Sequence, residues 1–230
     1  MLVGVLLQLL DDQAVRLGRR DAALDVGLPV AFTATNAKFS LEGSRIRIDE
    51  LSGKAGGGTF AASGGVDLER GPDLSWKLKE ISVTLDDGLE ATLTGQGAVR
   101  GTWQQLKVNG DIEVVNALYD RNLELADLLP WFKEHIAPAP RTEPSVREVQ
   151  LDLRIYAHDS VFIDNNVAKA EMWLNLQLVG TTEKPVLTGT IGFLSGQVTF
   201  RDRIFTLTAG SIDFEERLGM NPVLNITAES

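Results

Sequence analysis

From Pro29 onward, apolar residues fall at every second position through most of the chain. Met172, Leu174, Leu176 and Leu178 alternate with Trp173, Asn175, Gln177 and Val179. The same rhythm carries Leu187, Gly189, Ile191 and Phe193, then Val198 and Phe200, Phe205 and Leu207, Ile212 and Phe214, Leu224 and Ile226. Successive side chains of a strand point to opposite faces, so this spacing predicts a sheet with one apolar and one mostly polar face. Turn-forming residues separate the runs: Gly180, Lys184-Pro185, Ser195-Gly196, Arg201-Asp202, Ala209-Gly210, Gly219 and Asn221-Pro222. The expectation is an all-β meander of short antiparallel strands.

The earlier part of the chain repeats the theme. Val30, Phe32 and Ala34 are followed by Phe39 and Leu41, then Ile46 and Ile48, with breaks expected at Gly43-Ser44 and Asp49-Glu50. Leu74, Trp76 and Leu78 lead to Ile81, Val83 and Leu85, a hairpin turn at Asp86-Asp87-Gly88, and Leu89, Ala91 and Leu93. Residues 101–112, GTWQQLKVNGDI, align with residues 180–191, GTTEKPVLTGTI, at a constant offset of 79. Similarity at a fixed offset is the mark of a repeat architecture. One stretch breaks the period-two pattern. Leu125, Leu128, Leu129, Phe132 and Ile136 have helical spacing, which predicts a short amphipathic helix over 122–136 with a kink at Pro130. That helix packs on or plugs the sheet, or it binds a partner. A proline-rich loop follows over 137–145. The N-terminal MLVGVLLQLL is too short to span a membrane, which takes roughly 20 apolar residues. It reads as an amphipathic element packed on the first strands or as a targeting segment. The organisation expected is an apolar element over 1–28, a first β segment over 29–120, helix and loop over 121–146, and a second β segment over 147–230. Because the last strand-like run has no polar cap after it, the chain reads as a piece of a longer polypeptide.

Composition removes several function classes. A hydrophobic fraction of 43% with 23% charged residues describes a folded chain. A net charge of −10 opposes nucleic acid and anionic membrane surfaces, both of which need a basic stripe. With no cysteine, thiol catalysis and thiolate metal sites are excluded. Lys54 precedes the glycines at 56–58, whereas a phosphate-binding loop places its lysine after them and ahead of a helix. His158-Asp159-Ser160, expected in a hairpin turn, cannot converge as a triad. Gly192 to Gly196 misses the nucleophile-elbow spacing by one residue. His135 and His158 are the only histidines. No catalytic residue, metal site or cofactor is expected, and the chain does not read as an enzyme.

What remains is the apolar face. A large sheet must cover it, close it into a barrel or use it. One helix of about four turns covers too little of a dozen strands. A sheet curled on itself leaves a long apolar groove, with Leu151, Leu153, Ile155, Leu174, Leu176, Leu178, Ile191, Phe193, Val198, Phe200, Phe205, Leu207, Ile212 and Phe214 as the candidate lining.

The segment from Gly189 to Ala228 resembles the C-terminal domain of TamB, the translocation and assembly module subunit of diderm bacteria. The resemblance rests on Gly210, Ile212 and Phe214 as a glycine-led strand and on Asn221, Pro222, Leu224, Ile226 and Ala228 after it. The stretch LEGSRIRIDELSGKAGGGTFAASGGVDL is similar to the degenerate repeat of that family and of the wider AsmA-like group. On this resemblance, the family's N-terminal anchor and its final strands are expected to lie outside the stretch read here. The resemblance implies a β-taco, a long U-shaped sheet with an apolar interior, in a protein held in the inner membrane and reaching across the periplasm. It implies phospholipid as cargo and a BamA-family barrel of the TamA kind as partner. An alternative within the same resemblance is a non-catalytic assembly module that pairs with the barrel through a strand edge.

Overall fold

The computed structural model describes residues 22–24, 32–85, 88–122, 149–200, 203–215, 217 and 221–230. They form twelve strands: β1 (Ala22–Leu24), β2 (Phe32–Glu42), β3 (Arg45–Ala55), β4 (Gly58–Asp67), β5 (Gly71–Leu85), β6 (Leu89–Thr102), β7 (Gln105–Tyr119), β8 (Val149–Asp164), β9 (Ala168–Thr181), β10 (Pro185–Phe200), β11 (Arg203–Phe214) and β12 (Pro222–Glu229). All twelve lie in one sheet in chain order. The all-β expectation holds. Of the N-terminal element over 1–28, only Ala22–Leu24 is described, as β1. The helix over 122–136 lies outside the described residues beyond Asn122, and so does the proline-rich loop.

The structure corrects the meander in two ways. First, β7 and β8 run parallel, with Leu106 opposite Val149 and Tyr119 opposite Ile163. The chain therefore re-enters the sheet at the end where β7 began. Every other neighbouring pair is antiparallel. Second, several sites expected to be turns lie inside strands. Asp49-Glu50 is within β3, His158-Asp159-Ser160 within β8, Ser195-Gly196 within β10 and Ala209-Gly210 within β11. Each coincides with a shift in pairing register, a β-bulge. One extra residue in a strand and a tight turn both interrupt the alternation with small or polar side chains. The bulge bends the strand without ending it.

The internal repeat extends well beyond the twelve aligned residues. The three strands β5, β6 and β7 recur 79 residues later as β8, β9 and β10, and β6 maps onto β9 end for end. Hydrogen bonds recur with them. Trp103 N–H donates to the Arg70 carbonyl at 3.1 Å, and Thr182 N–H to that of Val149 at 3.0 Å. Asp120 N–H donates to the Gly88 carbonyl, and Thr199 N–H to that of Val167. In the hairpin turns, Thr102 Oγ1 accepts from Gln105 N–H and Thr181 Oγ1 from Lys184 N–H, both at 3.2 Å. Gly101 and Gly180 have φ of +129° and +88°, and a Cβ on either would strike the carbonyl oxygen four residues on. That contact explains why both hairpins carry glycine there.

The tightest core is at the β3–β6 end, where Val66 and Leu74 are fully buried and Ile48, Leu51, Ile81 and Val99 nearly so. Trp76 supplies its bulk sideways. Its ring lies over Gly97 and Gly110 on the next two strands, where an added Cβ would come within 2.6 and 2.7 Å of it. No polar or charged side chain is buried among the described residues.

Candidate functional site: a creased apolar trough

The register places the apolar residues of successive strands on one face, rung by rung. One rung runs Ala157, Leu174, Ile191, Ile212, Leu224. Another runs Ile112, Ile155, Leu176, Gly189, Phe214, Pro222. From β3 to β12 the paired positions on this face hold Ala, Gly, Val, Leu, Ile, Met, Phe, Trp, Pro and Tyr119, with one charged side chain among the described residues, Arg203 at the start of β11.

The bulges fix the shape of that face. Leu78/Ile81 in β5, Val114/Ala117 in β7, Ala157/Val161 in β8, Phe193/Ser195 in β10 and Leu207/Ala209 in β11 stand at one level across the sheet. Ile81 faces Leu93 and Leu93 faces Val114; past the extra residue, Ala117 faces Val161, Val161 faces Met172 and Met172 faces Phe193. In β5, β7, β10 and β11 the bulge restores the apolar parity that the sequence loses by one residue, and in β8 Ala157 and Val161 keep the same parity, so both halves of each strand present their apolar side to the same face. Between β10 and β11 the pairing jumps from Gly192–Ser211 to Gln197–Thr206, leaving four residues of each strand unpaired with the other at this level. Burial identifies the line as the floor of a trough. Ile81, Val114, Ala117, Ala157, Ala170, Met172 and Leu207 are 3 to 9% exposed. In β8 and β11 the floor residue is the only buried one, with half-buried apolar residues on either side of it.

Of the fourteen candidate lining residues, Leu151, Leu153, Ile155, Leu174, Leu176, Leu178, Ile191, Phe193, Ile212 and Phe214 lie toward one rim, Val198 and Phe205 toward the other, and Leu207 on the floor. Phe200 stands opposite Arg203 at the end of β10. The register brings Met172, Leu187, Pro222, Leu224 and Ile226 onto the same face, together with Leu93, Val108 and Ile112 of the first unit. Their parity with residues already singled out was the signal that could have found them.

The opposite face carries the charge. Lys107 pairs with Asp152 and Arg100 with Asp73, each at 2.8 Å. The Asp152 carboxyl is held below the usual range by its hydrogen bonds from Lys107 and Gln177. The Asp213 carboxyl is lowered by the hydroxyls of Ser211 and Thr190, which donate to it at 2.6 and 2.8 Å. Ser160 has a structural task at its bulge, donating to the Val114 carbonyl at 2.9 Å. His158 packs edge-on to the Tyr156 ring. Among the described residues no cluster of His, Asp and Glu has the form of a metal site.

The glycine-led strand and the segment after it face each other in this sheet: Phe214 opposes Pro222, Ile212 opposes Leu224 and Gly210 opposes Ile226. Gly210 is required by Phe193, whose ring would lie 2.7 Å from a Cβ there. No curated protein sequence matches the chain significantly. The sequence model of the TamB C-terminal domain matches residues 49–230, from within β3 through all of β12. The chain belongs to the TamB C-terminal domain family, a translocation and assembly module.

Proposed function

We propose that this chain is a segment of a periplasmic conduit that carries phospholipid acyl chains between the inner and outer membranes, in support of outer-membrane assembly. The observation that carries the reading is the continuous apolar face of β3 to β12, charged among its described paired positions only at the marginal Arg203 and left half-open to solvent along β7 to β11. An acyl chain leaving hydrocarbon for water loses about 0.8 kcal/mol per methylene, so a chain of ~16 carbons faces a barrier on the order of ten kcal/mol. A continuous apolar wall removes most of it while the head group stays wet. No covalent step is involved, and the protein acts as a surface rather than a catalyst. Lipid extraction and native mass spectrometry of the purified chain test the idea, together with transfer of fluorescent phospholipid between vesicles. Purified protein that retains no lipid and speeds no transfer would overturn it.

A second reading is favoured by the last strand. β12 ends the sheet, its far edge has no strand partner among the described residues, and Leu224 and Ile226 are about half exposed. Such an edge can accept a strand from a BamA-family barrel. Photo-crosslinkers at Asn225 and Thr227 capture protein if this reading holds, whereas crosslinkers at Ile155 and Ile191 capture lipid under the first.

A further inference from the structure

The crease does not divide the strands evenly. Measured from the floor at about 3.3 Å per residue, the wall Val149–Ala157 of β8 is about 26 Å high and Met172–Thr181 of β9 about 30 Å. On the other side Val161–Asp164 and Ala168–Met172 reach only about 10 and 13 Å. The same inequality holds in β5, where Gly71–Leu78 opposes Ile81–Leu85, and in β6, where Leu93–Thr102 opposes Leu89–Thr92. The trough therefore has one tall and one short wall, with the turns 68–70, 103–104 and 182–184 on the tall rim and 165–167 on the short one.

We infer that a lipid in this trough rides with its tails toward the floor and its head group over the short rim. The inference rests on the conduit reading above. The hydrocarbon of one membrane leaflet is about 15 Å deep, half of a ~30 Å core. Fifteen ångströms up the short wall the lipid meets the polar rim. The same height on the tall wall is still among Leu153, Leu176 and Val108, where a phosphate would lose its hydration without any partner. The short rim has polar groups to offer. Asp164 pairs with Lys169 at 2.8 Å, Asn122 Oδ1 accepts from Asn166 N–H, and Asn165 Oδ1 accepts from the amides of Val167 and Ala168. Asp120, Arg121 and Arg203 add charges of both signs to its described residues.

The chain has no cysteine of its own, so single labels are straightforward. Asn166→Cys on the short rim, Glu183→Cys on the tall rim and Leu174→Cys beside the floor, each carrying a small fluorophore, are mixed with phosphatidylcholine vesicles. The vesicles contain phosphatidylcholine with a nitroxide on either the head group or the tail end. The head-group nitroxide is expected to quench the Asn166→Cys label several-fold more than the Glu183→Cys label, and the tail nitroxide to quench at Leu174→Cys. Head-group quenching at Glu183→Cys equal to or above that at Asn166→Cys overturns the orientation, while tail quenching at Leu174→Cys leaves the conduit standing. Absence of tail quenching at Leu174→Cys overturns the conduit itself.

Discussion

A single charge on the apolar face is the most direct perturbation of the proposed conduit. Ile191 is half-buried at the foot of the tall wall, with Leu174 on one side and Ile212 on the other. Ile191→Asp would put a carboxylate and its hydration shell on that rung. Strands lie about 4.8 Å apart, so the disturbance covers the rung and its two neighbours, about 10 Å of path. If three or four methylenes of a passing tail face water there, the added barrier is about 3 kcal/mol at ~0.8 kcal/mol each. That corresponds to transfer slower by about two orders of magnitude. Asn175→Asp is the matched control, because Asn175 is exposed on the opposite face of the neighbouring strand and the change is isosteric. Both variants are assayed for vesicle-to-vesicle transfer of fluorescent phospholipid after circular dichroism has confirmed an intact sheet. Transfer by Ile191→Asp at the rate of Asn175→Asp would refute the reasoning, since the charge matters only on the face that holds the tail.

Other predictions concern the frame that holds the trough. Leu74→Ala removes a fully buried side chain and should cost about 2 to 5 kcal/mol in urea unfolding, whereas Leu224→Ala, about half exposed, should cost well under half as much. The three atoms nearest a Cβ on Gly192 would all belong to the Trp173 ring, at 2.2 to 2.4 Å. Gly192→Ala should therefore destabilise the native protein yet be neutral or stabilising in a Trp173→Ala background, and additive effects in that double-mutant cycle would contradict the account. The lowered carboxyls of Asp152 and Asp213 contribute stability that is present above the unfolded carboxylate range, near pH 4, and is lost as pH falls through their folded values. Replacing both with Asn should flatten the acid limb of a stability-versus-pH curve, and an unchanged limb would remove them as its source.

Much of this fold is legible in the sequence because the side-chain period of a strand is two. Residues of equal parity within a strand share a face, so Leu174, Leu176 and Leu178 were readable as neighbours before any pairing was known. The bulges were not readable from local composition. Ser195-Gly196 and Ala209-Gly210 have the residues of turns, and only pairing across the sheet shows that the strand continues past them. A signal was nevertheless present: apolar positions step by three at Ile48–Leu51, Leu78–Ile81, Val114–Ala117, Phe193–Gly196 and Leu207–Gly210. Reversal of direction at a true turn does not require that slip, whereas the one-residue bulges at these sites do; in β8, Ala157 and Val161 stand four apart and leave no such trace. The parallel pairing of β7 with β8 left no comparable trace, because it is set by where the chain re-enters the sheet and not by any residue in either strand. The unequal walls were hidden for the same reason, since wall height follows from where the bulges align.

The parallel step decides how such a sheet can grow. Three strands is an odd number, so in a strict meander the second copy of the unit would run upside down, with its glycine hairpin at the opposite margin. By repeating the direction of β7, β8 restores the original sense, and the two copies are related by simple translation. A gene duplication of this unit would extend the assembly by about 14 Å, three strand spacings, without inverting its cross-section. Length thus becomes a quantity that evolution can adjust in modular increments, like the rungs of an extension ladder.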